Sequence, residues 1–276
     1  MQSRAKTITA PALETIETHR DFHWRRESER RVETAQDAER YINEVGFLFA
    51  LTDLRRPGPS LYTAVCGRRD AHMPRNVQKD PESSLTWRIK DDVMKRGNVY
   101  YAKVLRGLST FIAPRLAQHF YSVFGLPKGS AETRSLTPDA RLVLRILRKE
   151  WEMASLDLRT AAGFSDRKRL TKALDELQKK MKVVPSDVLY EPSFTYIWTI
   201  SESRFPAELS KQIDRGIALK EIARAFLNCA GMTFKGELAK ILGVPAPEVG
   251  LANLSLVDEG FAELLSPGVY CRKDLL

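Results

Sequence analysis

Histidine and cysteine are scarce: the 276 residues include four of the first and three of the second. Cys66, Cys229 and Cys271 are an odd number without close spacing, which excludes a legible disulfide framework or zinc site and predicts reduced, mostly buried thiols. His19 and His23 stand one helical turn apart and could clasp a metal, but no carboxylate or thiol partner is identifiable around them, so neither a metal nor a cofactor is expected. Long apolar runs are missing as well. The best, "VGFLFAL" at Val45–Leu51, is far short of the roughly 20 residues that span a bilayer, and the N-terminus lacks an apolar signal core. No membrane partner and a cytoplasmic location are expected. No glycine-rich loop suits phosphate binding.

What the chain does have is positive charge, unevenly spread. Its net charge is +9, yet the segment from Lys128 to Lys182 alone carries 14 basic against 8 acidic residues, and Arg88 to Arg115 carries 7 against 2. The remainder is therefore slightly acidic, and the stretch from Gly231 to Leu276 has 4 basic against 6 acidic residues. A polyanion site belongs to the first two thirds.

The hydrophobic pattern divides the chain. Residues 1–33, including "HWRRESERR", show no sustained apolar stripe and read as an exposed arm that packs weakly. Thr34 caps a short amphipathic helix that enters a Pro- and Gly-rich loop over 52–84. "LTWRIKDDVMKRG" predicts a helix with Trp87, Ile89, Val93 and Met94 inward. "NVYYAKVLRGLSTFIA" predicts two strands turned near Arg106 and Gly107, and Pro114 opens another helix. Thr137 and Pro138 start "PDARLVLRILRKE", "LDLRTAA" follows, and Ser165 is placed to cap "DRKRLTKALDELQKKM", whose Leu170, Ala173, Leu174, Leu177 and Met181 recur at helical spacing. "KVVPSDV" and "FTYIWTI" then read as a wing, and the tail from Ile217 repeats the same grammar. The expected fold is mainly α with small β wings (α+β). It consists of tandem winged helix-turn-helix domains: the arm at 1–33, a winged-helix-like domain at 34–127, a central one at 128–210 and a C-terminal one at 211–276.

A recognition helix meets DNA with its first turns, so cations there reach phosphates on both walls of the major groove. Arg167, Lys168 and Arg169 hold that place, Lys172 extends it by a turn, and Lys179, Lys180 and Lys182 lie toward the wing. Cations in a first turn oppose the helix dipole by about a few tenths of a kcal/mol each, a penalty that a nearby polyanion reverses. Arg and Lys also serve as good helix formers on solvated faces, which is the plainer explanation of such a stretch. A second basic set, Arg88, Lys95, Arg96, Lys103 and Arg106, favours DNA. Asn and Gln are nearly absent from the recognition stretch, Gln178 excepted, so phosphate contact without a sequence code is expected.

The string "LTPDARLVLRILRKEWEMASLDLRTAAGFSDRKRLTKALDELQKKMKVV", continued by "FTYIWTISESRFP", resembles winged-helix DNA glycosylases of the AlkZ and YcaQ type. The resemblance implies tandem winged helices around double-stranded DNA and a link to base-excision repair. Those glycosylases carry a Gln-x-Gln or Gln-x-Asp pair after the first helix, where it positions water against the sugar carbon. The corresponding run here is "VGFLFALTD", which puts Phe49 and Leu51 at those two places, and neither side chain can orient or deprotonate water. Asp53, two residues on, is the one carboxylate to consider for a glycosylase acting on an alkylated or crosslinked base. For lyase chemistry, Lys103 is the one amine to test. Trp87, Tyr100, Tyr101, Trp151, Tyr196 and Trp198 could stack bases, although aromatic residues at such spacing are more often core. A non-catalytic duplex-DNA-binding protein is the leading expectation. A glycosylase and a protein-binding scaffold, which the acidic tail permits, are the alternatives.

Overall fold

Helix, strand, two helices and two strands follow one another three times along the chain. The computed structural model describes residues 11, 13–53, 57–77 and 79–276. After an N-terminal helix, α1 (Leu13–His23), the first set is α2 (Ala35–Val45), β1 (Phe47–Phe49), α3 (Leu61–Cys66), α4 (Pro81–Arg96), β2 (Tyr100–Leu105) and β3 (Leu108–Ile112). Then α5 (Pro114–Phe124) and α6 (Ser130–Ser135) lead to α7 (Pro138–Glu150), β4 (Glu152–Ala154), α8 (Ser155–Ala161), α9 (Arg167–Lys179), β5 (Val183–Leu189) and β6 (Thr195–Ile200). After α10 (Ser201–Arg204) the third set is α11 (Arg215–Ala230), β7 (Met232–Thr233), α12 (Glu237–Leu242), α13 (Ala246–Asp258), β8 (Ala262–Ser266) and β9 (Val269–Arg272). Each set closes one three-stranded antiparallel sheet in which its last strand lies between the other two. The fold class is the expected one, helical with small antiparallel sheets, and consistent with tandem winged helices.

Local chemistry places most of these boundaries. The Thr34 hydroxyl accepts the Asp37 N–H at 3.1 Å while the Asp37 carboxylate accepts the Thr34 N–H at 3.1 Å, a reciprocal cap worth about 1 kcal/mol. Proline occupies the first turns of α4, α5 and α7, where its missing N–H costs nothing. The first strand of each sheet was not anticipated. These strands span only two or three residues, too few for alternation to show, and Phe47, Leu48 and Phe49 are all buried. Likewise the expected loop over 52–84 contains α3, whose six residues are all buried, behind a Ser60 cap. Its flanking "RRPGPS" and "HMPRN" masked it.

Two large apolar cores result, with two small clusters around Ile16 and Tyr62 among the described residues. One joins the first and third sets, with Phe47 set 5.3 Å from Phe120 and 6.5 Å from Phe226. The central set has its own, built from Val143, Leu147, Leu158, Leu170, Leu174, Leu177 and Trp198. Each fully buried aliphatic there stabilises by about 1.5–3 kcal/mol. Aromatic placement departs from expectation at two positions: Trp87 is 39% exposed and Trp151 is 69% exposed. Ile89, Val93 and Met94 do face inward, but the remaining buried positions of α4 include Lys90 and Asp91.

The weakly packed arm is corrected over its described part. Ile16, Arg20, Trp24 and Val32 are buried, and the Arg20 guanidinium donates to the Ala230 carbonyl at the end of α11 and to the Met232 carbonyl of β7. Arg20 and Arg26 each hold their charge 5.0 Å from the Trp24 ring. A stripe in which arginine stems and one tryptophan do the burying is invisible to an apolar count. His19 Nε2 donates to the Asn228 carbonyl at 2.9 Å, and burial, then His19 and Arg272, pushes the His23 imidazole down to about 4. Both rings are thus held neutral in the docked state, whereas a free imidazole titrates near about 6.5. Docking therefore loses stability as pH falls from about 6.5 toward about 4. The fall in melting temperature over that interval is expected to shrink in the H19Q/H23Q double variant, and an unchanged fall would contradict the assignment.

Candidate nucleic-acid interface

Helix α9 is held on three sides and open on the fourth. Its cap is Asp166 rather than the expected Ser165: the carboxylate accepts the Lys168 N–H at 2.8 Å, which also offsets the dipole penalty of the cations behind it. Leu170, Ala173, Leu174 and Leu177 fill the central core. From another side β2 grips the second half of the helix, with the Lys103 ammonium 2.9 Å from Asp175 and the Lys103 N–H donating to Gln178 Oε1 at 3.1 Å. From a third, Glu176 accepts both the Thr137 N–H at 2.9 Å and its hydroxyl at 2.6 Å, tying α9 to the start of α7.

What stays open is the first half. Arg167, Lys168 and Lys172 are exposed, and among the described residues none of them forms an ion pair. Arg169 is different. It donates to both oxygens of Asp139, at 3.0 and 2.7 Å, and lies 4.4 Å over the Phe164 ring. The paired Arg169 holds the Asp139 carboxyl below its ordinary value. At the other end Lys179 is exposed and Lys180 half-buried, and Lys179 passes over Gly107, where a Cβ would come within 3.2 Å of its Cε. Gly107, at φ +77, forms the β2–β3 turn with Arg106, whose exposed side chain lies against Gly243 behind α12.

Two expected contacts are corrected here, and the one glutamine of the stretch is placed. Lys182 is fully buried: its ammonium bonds Glu132 at 2.7 Å, the Leu126 carbonyl at 3.1 Å and Glu202, so it cannot reach a phosphate. Lys103 is an ion-paired, partly solvated amine and not a desolvated nucleophile. Gln178 is buried against β2 and unavailable to a base edge. Of the acids that divert the two lysines, Asp175 and Glu132 interrupt the basic stretch in sequence, and that interruption is the signal that could have flagged them, whereas Glu202 lies beyond it.

The second basic set divides in two. Lys103 and Arg106 belong to the hairpin beside the end of α9, while Arg88, Lys95 and Arg96 lie on α4. Asp80 caps α4 by accepting the Ser83 N–H at 2.6 Å, and Arg204 closes it by donating to the Met94 and Lys95 carbonyls at 2.8 and 3.0 Å. The three α4 cations line an open groove of about 640 Å³ against Glu33, Thr34 and Gln36 at the start of α2. Arg96 is paired with Glu39 at 2.7 Å and Lys95 with Asp187 at 3.2 Å, while Arg88 has no ion pair among the described residues. In the third set the equivalent helix, α13, exposes Leu251 and Leu254 instead of cations.

The two positions at which a catalytic polar pair was sought carry hydrocarbon. Phe49 is buried in β1, its N–H bonded to the Pro59 carbonyl at 3.0 Å, and Leu51 packs against the same core. Asp53 is half-buried and already engaged by a neighbouring group. Burial pushes the Cys66 and Cys229 thiols up to about 12, so both are protonated and inert at neutral pH. Among the described residues no group of three His, Cys, Asp or Glu is placed to hold a metal ion, and no helix is long and apolar enough to cross a membrane.

The sequence model of the family described as AlkZ related matches residues 32–243. The chain belongs to the AlkZ-related family. A solved structure, the DNA glycosylase AlkZ of Streptomyces sahachiroi, superposes with a TM-score of 0.60 at 16% identity, covering 96% of this chain and 71% of that one. At that identity the likeness concerns the fold. A search of curated proteins finds no match. This AlkZ-related chain thus keeps the architecture of its neighbour, with Phe49 and Leu51 where the glycosylase-type polar pair was sought.

Proposed function

We propose that this AlkZ-related protein binds double-stranded DNA with low sequence specificity, in the service of DNA repair and without excising a base itself. The observation that carries the reading is the open first half of α9, where Arg167, Lys168 and Lys172 stand unpaired on a helix fixed from three sides. Unpaired cations on a rigid helix start are what phosphate binding needs, and the exposed part of α9 offers no Asn or Gln to read base edges. Family membership and the DNA glycosylase AlkZ as a structural neighbour support the repair connection. The units at 34–127, 128–210 and 211–276 then divide the work, the first two facing DNA through α4 and α9. The bound protein would sit with the nucleoid in the cytoplasm.

Equilibrium binding to unrelated duplexes across a salt series tests the proposal. Similar affinities for different sequences are expected, with log K falling linearly in log salt at a slope of about −0.9 per phosphate contacted. A flat salt response would defeat the reading. The second reading, a glycosylase working through Asp53, is favoured by the name of the structural neighbour. It predicts abasic sites in alkylated or crosslinked duplex and their loss in D53N. We expect no abasic sites with the unaltered chain.

A further inference from the structure

Aromatic rings gather where α4 meets the wing of the central set, and they are not all core. Trp87 on α4 is 39% exposed, and Tyr190 and Phe194 at the tip of β5–β6 are 54% and 50% exposed. The rings follow one another edge to face, with Lys90 between Trp87 and Tyr196. Trp87 and Tyr196 flank the Lys90 ammonium at 4.3 and 5.2 Å, Tyr196 lies 5.1 Å from Phe194, and Phe194 lies 5.9 Å from Tyr190.

Beneath this surface is a buried charge pair. Lys90 is 1% exposed; its ammonium bonds the Tyr196 hydroxyl at 2.6 Å and Asp91 at 2.7 Å, and the Tyr190 hydroxyl donates to Asp91 at 2.7 Å. Burying such a pair costs desolvation that a hydrophobic pair would avoid. What the network does is fix the two tyrosines of the wing to α4, so that the rings form a rigid surface before any ligand arrives. One cation borders it: Lys95 lies 5.7 Å from the Tyr190 ring centre and bonds Asp187 at 3.2 Å.

A contiguous exposed aromatic patch marks a binding surface, and a cation at its border selects a planar apolar group that carries an anion beside it. We propose that Trp87, Phe194 and Tyr190 form an edge-to-face platform where one unpaired base of the bound DNA stacks on an exposed ring, with Lys95 on a flanking phosphate. This rests on the DNA-binding reading above and narrows the ligand to duplex with a local lesion or bulge. In a paired duplex the faces of the bases are covered by their neighbours, so only an unstacked base has a face to offer.

The test compares a duplex bearing a single bulged 2-aminopurine with the same duplex fully paired, both bound by the full chain. About tenfold tighter binding of the bulged duplex is expected, with quenching of 2-aminopurine emission, as one base–aromatic contact supplies. F194A and W87L should each bring the preference close to one while leaving affinity for the paired duplex unchanged. Equal affinities and no quenching overturn the platform and leave the DNA-binding reading standing. Loss of binding to both duplexes in F194A and W87L alike also overturns it, because the rings would then be structural. Failure of the unaltered chain to bind either duplex sinks both.

Discussion

Replacing Lys182 by methionine is expected to destabilise the fold by about 3 kcal/mol, read as a fall of roughly 6–10 °C in melting temperature. The ammonium is wholly buried and bonds Glu132, Glu202 and the Leu126 carbonyl, joining the central set to the linker that leads into it. Methionine fills similar volume but leaves two carboxylates underground without their shared cation. Arg148 at 2.7 Å from Glu132 and Lys128 at 3.0 Å from Glu202 still compensate in part, which places the cost at the lower end for a broken buried pair. Burial opposes the Glu132 charge, yet bonds from Arg148 and Lys182 hold its carboxyl below the ordinary value. Such a group contributes stability above its unfolded pKa and loses it as pH falls through the folded one. The deficit of the variant should therefore narrow as pH approaches about 4. A variant as stable as the parent at neutral pH would refute the buried role, and Lys182 would return to the list of phosphate contacts.

Charge reversal at the open end of α9 is expected to give the largest functional effect. R167E and K168E together should flatten the salt slope by about two units and weaken binding at 0.15 M salt by at least about thirtyfold, uniformly across sequences. Both side chains are exposed and unpaired, so the melting temperature should hardly move. R169E is the informative control. It breaks the bond to Asp139 and the contact with Phe164, so it should cost stability and only a part of the affinity. A preserved slope in the double variant would remove α9 from the interface.

The aromatic platform and these two predictions draw on different parts of the chain. Lys182 tests how the central set is seated, Arg167 and Lys168 test what that seat presents, and Trp87 and Phe194 test what a neighbouring unit adds. Because α9 is locked by Asp175 and Glu176 as well as by its own core, its exposed cations have little freedom to lose on binding.

Periodicity and caps alone determined much of this protein. The helical spacing of Leu170, Leu174 and Leu177, the cap at Thr34, the prolines opening α5 and α7, and the Arg106–Gly107 turn are local facts, written within a few residues of chain. So is the concentration of positive charge in the first two thirds, and so is the substitution of Phe49 and Leu51 at the expected polar pair. Only the tertiary structure decided which cations are available. Lys182, Lys103 and Arg169 look alike in sequence to Lys168 and Lys172, but partners at Glu132, Asp175 and Asp139 lie 50, 72 and 30 residues away. It likewise decided that α1 is docked, that the two-residue and three-residue strands exist, and that Trp87 faces outward over a buried Lys90. Charge pairing and desolvation depend on distance through space, and a linear pattern carries no information about which distant acid will close on a given base.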